Sequence, residues 1–273
     1  MFGSNVEMTK LHTHKPLSRH AFEWLIVAIP MMVYGAAYRL LRFVPRVMPI
    51  DTRELYDAEV SLFGIGGRTW CEHFAANPDP VLDVVSAVCY ICWVPLPILF
   101  AFFLYFTRRR LCLHFTTGFM IMNLIGFACY YLHPAAPPWY VMAHGFVADP
   151  DTPGCAAGLL RFDAIVGYPL FENMYRGTTN VFAPIPSLHS AKVPYALLFA
   201  YIIYIKERAR DVVPWLVLLF VISAGTWFAA VYTQHHYIID VVCGIALVPV
   251  SYLIFCCFIR PRRWFQRLEA MVA

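Results

Sequence analysis

Long apolar segments alternate with short polar turns over most of the chain. Six of these segments have about 20 residues each, the length that crosses the hydrocarbon core of a bilayer as a helix. They occupy residues 21–41, 81–106, 111–132, 188–205, 212–232 and 237–259. The pattern predicts an all-α, polytopic membrane helical bundle with six transmembrane helices, which forms a single domain over residues 1–273.

The composition agrees with a membrane protein. Of the 273 residues, 60% are hydrophobic and 14% are charged, and the mean hydropathy is +0.60. A soluble domain carries about 25% charged residues, and a soluble fold as apolar as this chain would expose large hydrophobic patches to water. The first segment is followed by Arg39, Arg42 and Arg46 rather than by a small-residue cleavage site, so we expect a retained helix and not a signal peptide.

Lysine and arginine are unevenly distributed between the two sides that six crossings define. The termini and the turns at 107–110 and 206–211 hold most of them, whereas the basic residues of the other side are spread over long loops. Because positive residues favour the cytoplasmic side, we expect both termini to be cytoplasmic. The net charge of +4 then reflects topology, and no nucleic-acid partner is expected.

Two long segments, 45–80 and 133–186, interrupt the helices on the opposite side. Residues 54–63 have apolar side chains every three or four positions, which predicts a helix lying in the membrane interface. The segment 133–186 is rich in proline and glycine, and a loop of that length in a compact protein is usually functional. Cys71 and Cys155 are the two cysteines of these loops, and the sequence leaves open whether they pair in an oxidising compartment.

Two short motifs with histidine begin the fourth and the sixth apolar segments. They are Pro186-Ser187-Leu188-His189-Ser190 and Gln234-His235-His236-Tyr237-Ile238-Ile239-Asp240. Both segments start at the same face of the bilayer, so the two motifs should meet at one depth. His236 and Asp240 are four positions apart and therefore adjacent on a helix, where a carboxylate can orient an imidazole and stabilise its cation. An intramembrane carboxylate is a functional candidate by default, and a structural His–Asp hydrogen bond is the alternative.

The residue types of the two motifs are suited to catalysing a displacement at phosphorus. Ser187 and Ser190 flank His189 at a helix start, where hydroxyls and unpaired backbone N–H groups favour an anion. Two histidines supply a nucleophile and a general acid/base. The rival of His236 is His235, which is five positions from Asp240 and so off its helical face. No acidic cluster indicates a metal, and we expect neither a metal nor a cofactor.

Four ordered motifs resemble the inositol phosphorylceramide synthase branch of the type 2 phosphatidic acid phosphatase superfamily. They lie at residues 133–140, 160–163, 186–190 and 235–240. The resemblance implies a membrane phosphotransferase that moves a phospho-headgroup, namely phosphoinositol from phosphatidylinositol, to the hydroxyl of a ceramide-like lipid. It further implies that His236 forms a phosphohistidine intermediate, that His189 is the acid/base, and that Asp240 orients His236.

The remaining substrate-binding candidates are basic or aromatic. Tyr140 and Arg161 lie in the matching motifs, and Arg176 follows in the same loop; an interfacial aromatic anchor is the alternative for Tyr140. Lys192 follows His189 by three positions, on the same helical face, at a position where the family pattern has no lysine. Because a buried lysine is costly unless it pairs with an anion, we expect Lys192 to bind phosphate, with snorkelling to the interface as the alternative.

One departure from the phosphatase branch bears on the reaction. That branch carries a Ser-Arg pair ahead of its second histidine, where this chain has Ala229 and Ala230. The missing arginine favours a phosphodiester transferase over a monoester phosphatase. The alternatives are a phosphatase of phosphatidic acid or an isoprenoid pyrophosphate, and a non-catalytic lipid-binding or transport protein. We expect an integral protein of a bacterial inner membrane, or of a Golgi membrane in a eukaryote, with its site facing the periplasm or lumen.

Overall fold

The computed structural model describes residues 17–44, 47–177 and 180–272. Over these ranges the chain forms thirteen α-helices and no β-strand, which confirms the predicted all-α class. The helices are α1 Leu17–Leu40, α2 Glu54–Phe63, α3 Trp70–Ala76, α4 Pro80–Ile91, α5 Pro95–Thr107, α6 Arg109–Leu132, α7 Pro138–His144, α8 Leu160–Val166, α9 Leu170–Arg176, α10 His189–Glu207, α11 Val213–Tyr232, α12 Ile238–Ile254 and α13 Arg263–Met271. The expected cytoplasmic N-terminus and Arg46 lie outside the described residues.

Several helices are long and apolar enough to cross a membrane. Among the described residues there are four, namely His20–Leu40, Arg109–Leu132, Val213–Tyr232 and Ile238–Ile259, and the bent pair α4–α5 makes a fifth if it counts as one span. The chain is therefore an integral membrane protein. The 19-residue α10 is not among them; it carries Lys192 near its start and Lys206 and Glu207 at its end. Six spans therefore stay a prediction.

The structure divides the predicted span at 81–106 into two helices, α4 and α5, which meet at 41°. Proline has no N–H to continue a helix, and its fixed φ suits the first helical position. Pro95 accordingly begins a new helix after three residues that follow the end of α4. The break places Trp93 and Val94 in the wall of a large cavity.

The loops and the C-terminus pack against the ends of the long helices. α2 coincides with the helix predicted at 54–63, and its Leu55 and Glu59 are buried against the protein. The segment 133–186 contains α7, α8 and α9, of seven residues each. The apolar pattern did not predict α13, which buries Phe265 and pairs Glu269 with His114 of α6.

α10 lies inside the bundle, in contact with α5, α6, α11 and α12. Its start approaches α12 closely: a Cβ built on Gly244 would lie 2.2 Å from the Ser187 carbonyl oxygen, so only glycine fits there. The Ser187 N–H also donates a hydrogen bond of 2.9 Å to the Asp240 carbonyl. These contacts bring the two histidine motifs to one level.

Candidate active site

The two histidine motifs form one wall of a cavity of about 380 Å³. α1, the α4–α5 break, α6 and the segment 133–186 supply the other walls. Most of the lining is aromatic or aliphatic: Tyr34, Tyr38, Leu41, Trp93, Val94, Phe127, Tyr130, Pro137, Trp139, Met174, Tyr175, Val181, Ala183, Pro184 and Leu188. A few polar groups interrupt this apolar surface, which is the usual construction of a small-molecule site.

His189 and His236 contact each other directly. Nδ1 of His189 lies 3.0 Å from Nε2 of His236. His189 is the first residue of α10, whereas His236 lies in the turn between α11 and α12, because α12 begins only at Ile238. The prediction that His236 and Asp240 lie on one face of a helix is therefore wrong, because His236 precedes the helix.

His236 and Asp240 nevertheless lie side by side. The separation of His236 Nδ1 and Asp240 Oδ2 is 3.6 Å, an ion-pair contact that is longer than a hydrogen bond. Asp240 Oδ2 accepts the Tyr237 N–H at 2.8 Å, so the chain before α12 folds back over the carboxylate. Both side chains are buried, which strengthens the attraction between the carboxylate and a cationic imidazole.

Backbone hydrogen bonds hold the turn that carries His236. The Ala230 carbonyl accepts the N–H groups of His235 and His236, at 3.1 Å and 2.9 Å. The thiol of Cys71 donates to the His236 carbonyl at 3.3 Å. Cys71 therefore contacts the backbone of His236. Both loop cysteines are thiols, so Cys71 and Cys155 form no disulfide in this structure.

A carboxylate from α2 caps the start of α12. Glu59 accepts the N–H groups of Ile238 and Ile239, both at 3.0 Å. These are backbone donors that a helix start otherwise leaves unpaired, and a carboxylate there also suits the helix dipole. Burial raises the pKa of Glu59, and the two N–H groups oppose that shift. Glu59 fixes the position of the helix that presents Asp240.

Aromatic rings and one lysine surround His189. The imidazole stacks on Tyr90, with ring centroids 4.9 Å apart, and meets Trp93 edge-on at 4.5 Å. Lys192 Nζ lies 4.1 Å from the centroid of the Trp93 ring and donates to the Tyr34 hydroxyl at 2.9 Å. Lys192 is 5% exposed and lines the cavity. This position does not fit the snorkelling alternative, which requires Nζ to reach the water interface.

Comparison with known proteins identifies the family. Residues 53–254, about three quarters of the chain, match the PAP2 superfamily. The chain belongs to the PAP2 superfamily. This result confirms the family to which the histidine motifs pointed. α1, which supplies Tyr34 to the cavity, precedes the matched region.

Relatives within the PAP2 superfamily carry sphingolipid synthase names. The chain is 44% identical over 237 residues to the phosphoinositol dihydroceramide synthase of Bacteroides thetaiotaomicron, covering 84% of this chain and 76% of the relative. It is 28% identical to the inositol phosphorylceramide synthase catalytic subunit of Saccharomyces cerevisiae and 26% identical to the Candida albicans synthase, covering 84% and 82% of this chain. It spans about half the length of these fungal proteins, 55% and 46%. No solved structure matches the chain.

The two predicted arginines lie outside the cavity lining of this PAP2 chain. Arg161 Nε donates to Asp83 at 2.7 Å, and its guanidinium stacks over the Tyr232 ring. Arg176 pairs with Glu172 of its own helix at 2.7 Å and is exposed. Their contacts are with neighbouring protein groups, so the geometry does not support either as a phosphate ligand.

Tyr140, Ser187 and Ser190 also lie outside the lining. The Tyr140 hydroxyl donates to the Val147 carbonyl at 2.8 Å and accepts the Asp149 N–H at 2.7 Å, which braces the loop after α7. Ser187 Oγ accepts the Ser190 N–H at 3.2 Å, a local turn at the start of α10. The geometry supports positioning roles for these three residues rather than substrate contacts.

Three residues of the site escaped the sequence analysis, namely Tyr34, Trp93 and Glu59, and a fourth, His235, was considered only as the rival of His236. Tyr34 meets Lys192 across 158 positions, and Glu59 meets Ile238 across 179. Aromatic residues within apolar helices have the same pattern as core residues, so Tyr34 and Trp93 gave no signal. His235 had a signal, since it is a second histidine beside His236, but spacing from Asp240 alone set it aside.

Proposed function

We propose that this protein transfers phosphoinositol from phosphatidylinositol to the primary hydroxyl of a ceramide-like lipid and releases diacylglycerol. The observation that carries the proposal is the contact between His189 and His236 in the wall of a largely apolar cavity. The names of the bacterial and fungal relatives support the phosphoinositol group and the ceramide acceptor. The specific donor, phosphatidylinositol, follows from the membrane location of the cavity, where lipids are the available donors.

The contact between the histidines assigns a role to each. The proton of His236 is on Nδ1, which faces Asp240, so Nε2 of the same ring has a free lone pair. His189 Nδ1 is therefore the donor of the 3.0 Å hydrogen bond. His236 Nε2 is then the nucleophile and His189 the general acid. An in-line displacement requires phosphorus between these two groups, so the hydrogen bond opens when the phosphodiester binds.

The reaction then proceeds in two displacements. His236 Nε2 attacks phosphorus, the bond to the glyceride oxygen breaks, and His189 donates its proton to that oxygen, which gives diacylglycerol and a phosphohistidine that keeps its single ester bond to inositol. In the second step His189 accepts the proton of the ceramide hydroxyl, the oxygen attacks phosphorus, and the bond to His236 breaks. Asp240 stabilises the imidazolium that forms in the first step, an arrangement known from other His–Asp pairs.

Lys192 holds the phosphodiester in this scheme. Among the described residues of the lining it is the one lysine or arginine, and the aromatic rings around it exclude water. A phosphodiester carries one negative charge, so a single lysine can balance it. Ala229 and Ala230 stand where a monoester phosphatase carries its Ser-Arg pair, and this substitution favours transfer over release of inorganic phosphate.

We also propose that α10 crosses the membrane, which makes six crossings with cytoplasmic termini. α10 and α12 start at one level, tied by Ser187 and Asp240, and 19 residues of helix extend about 28 Å. At the far end Arg108 pairs with Glu207 and Asp211, which joins two turns on that side. Cysteines introduced at Pro150 and Arg208 in a cysteine-free background should be labelled from opposite sides, and labelling from one side would refute this topology.

Incubation of the purified protein with defined lipids tests the reaction. With phosphatidylinositol and dihydroceramide, mass spectrometry should detect inositol phosphorylceramide and diacylglycerol. With phosphatidylinositol and water alone, it should detect little free inositol phosphate, because the aromatic wall keeps water from the intermediate. Phosphate release from phosphatidic acid without any transfer product would replace this proposal by the phosphatase alternative.

A further inference from the structure

His235 is a buried polar side chain of the cavity wall to which the two displacements assign no role. It lines the cavity and is 6% exposed. Its ring packs between Tyr175 and Tyr90, with ring centroids 4.7 Å and 5.3 Å away. The described residues offer its Nε2 no hydrogen-bond partner.

The surroundings of Nδ1 fix the position of the proton on this ring. Nδ1 lies 3.0 Å from the Thr233 carbonyl, which can only accept a hydrogen bond. The Thr233 hydroxyl, 3.2 Å from Nδ1, already donates its hydrogen to the Ala229 carbonyl at 2.7 Å and can therefore only accept as well. Burial, followed by the nearby His236, lowers the pKa of His235 to about 3, so the ring is neutral at neutral pH. Nδ1 carries the proton, and Nε2 is a hydrogen-bond acceptor.

A buried acceptor without a donor is unfavourable, and native proteins retain few of them. We infer that His235 Nε2 accepts a hydrogen bond from a substrate hydroxyl and thereby selects substrates that carry a hydroxyl at that point. This inference rests on the proposed function, because it names the substrate group that the same cavity recognises.

The position of His235 places that hydroxyl near the reacting centre. The ring of Tyr90 packs on both His189 and His235, at 4.9 Å and 5.3 Å. A group bound to His235 is therefore one aromatic ring away from the acid/base. Two hydroxyl sources lie that close to phosphorus in the proposed reaction: the inositol ring of the donor, and the second hydroxyl of the ceramide, next to the one that reacts.

Three variants and two pairs of substrates test the inference. His235→Phe keeps a ring between the two tyrosines but removes the acceptor, and His235→Gln places a side-chain oxygen near the position of Nε2. His144→Phe is the matched control, since His144 is exposed and lies outside the cavity lining. The first pair of substrates is phosphatidylinositol and phosphatidylcyclohexanol, whose ring has no hydroxyl. The second is dihydroceramide and its 3-deoxy counterpart.

The wild type should discriminate against the deoxy member of one pair. In that pair His235→Phe should lower kcat/KM for the hydroxylated lipid by about 5- to 150-fold, the range for one buried polar group left unpaired, and leave the deoxy lipid within about twofold. His235→Gln should recover most of the loss, and melting temperatures should show that all variants fold. The pair that responds identifies the source of the hydroxyl. Equal effects on both members of both pairs, or no effect, would overturn the inference.

Binding measurements separate this inference from the proposed reaction. A non-cleavable phosphonate analogue of phosphatidylinositol, dihydroceramide and their deoxy counterparts can be bound without turnover. If the wild type forms no transfer product but His235→Phe still weakens binding of one hydroxylated ligand selectively, the reaction fails and the role of His235 stands. If transfer occurs but neither turnover nor binding shows the selective loss, the role of His235 fails alone.

Discussion

Replacing Gly244 by alanine perturbs the contact that joins the two histidine motifs. The added Cβ would lie 2.2 Å from the Ser187 carbonyl oxygen and 3.2 Å from Ser190 Cβ. The oxygen belongs to the backbone, so no side-chain rotation relieves the clash. Cβ atoms essentially never come within 3.0 Å of such an atom, and the start of α10 must therefore move away from α12 by about 0.8 Å.

This displacement should affect catalysis more than binding. His189 lies two residues beyond Ser187 and would move with it, away from His236. A misplacement of about 1 Å can lower a rate by about 10²-fold, so we expect kcat to fall by on the order of 10²-fold. Lys192 of the same helix start would move as well, but KM for both lipids should change less than kcat, since a lysine on its flexible stem can follow the phosphate. Overpacking should also destabilise the protein by about 1–3 kcal/mol.

The assay is steady-state transfer of phosphoinositol to a fluorescent ceramide, with thermal unfolding in detergent as the measure of folding. Gly35→Ala is the control, because a Cβ on Gly35 of α1 meets nothing within 4 Å. It should leave both measurements near wild type. A Gly244→Ala enzyme with wild-type kcat would refute the claim that this contact sets the spacing of the histidines. Equal losses in both variants would show that the effect is not local.

Substitutions at four further positions have defined outcomes. Lys192→Met should lower kcat/KM by about 10- to 150-fold, the equivalent of one charge-assisted contact, and Lys192→Arg should lower it less. Expression should be unchanged. Kinetics of Lys192→Met within about twofold of wild type would exclude phosphate binding by this lysine. His236→Ala should abolish transfer, and Asp240→Asn should retain the fold but lose about 10³- to 10⁴-fold in kcat; turnover by His236→Ala would point to a different nucleophile. Glu59→Ala should destabilise the protein by about 1–3 kcal/mol, because it leaves two half-buried N–H groups of α12 unpaired. Glu59→Gln should lose less, and an unchanged unfolding temperature for Glu59→Ala would disprove the cap.

The sequence predicts a helix correctly where an uninterrupted apolar segment sets where the helix begins and ends. The bounds of α6 and α11 differ from the predicted segments by no more than two residues, since nothing interrupts those apolar runs. Hydropathy missed the break between α4 and α5 because its residues are as apolar as their neighbours. Pro95 was the available signal. α13 escaped because it is short and charged, and its place depends on a pairing with His114 that lies far away in the sequence.

The site was predictable only as far as its residues form local motifs. His189, His236 and Asp240 stand out because histidine and aspartate are expensive inside a membrane helix. Arg161 belongs to a motif too, but its partner Asp83 lies 78 positions away, and no local pattern reveals that the arginine is already paired. In the sequence, Glu59 has the pattern of a residue on the polar face of an interfacial helix. Its contact with α12 joins residues far apart in the chain, so no local pattern reveals it.

The main-chain hydrogen bond between Ser187 and Asp240 has a consequence for how the protein moves. It fixes the backbones that carry the acid/base and the nucleophile to each other, so these two groups separate by rotation of their side chains and not by sliding of the helices. Side-chain rotation is faster than the collective motion of helices, which takes microseconds to milliseconds. The chemical step should therefore be insensitive to bilayer thickness and lateral pressure. Entry of the lipids into the cavity is the stage at which the composition of the surrounding membrane can set the rate.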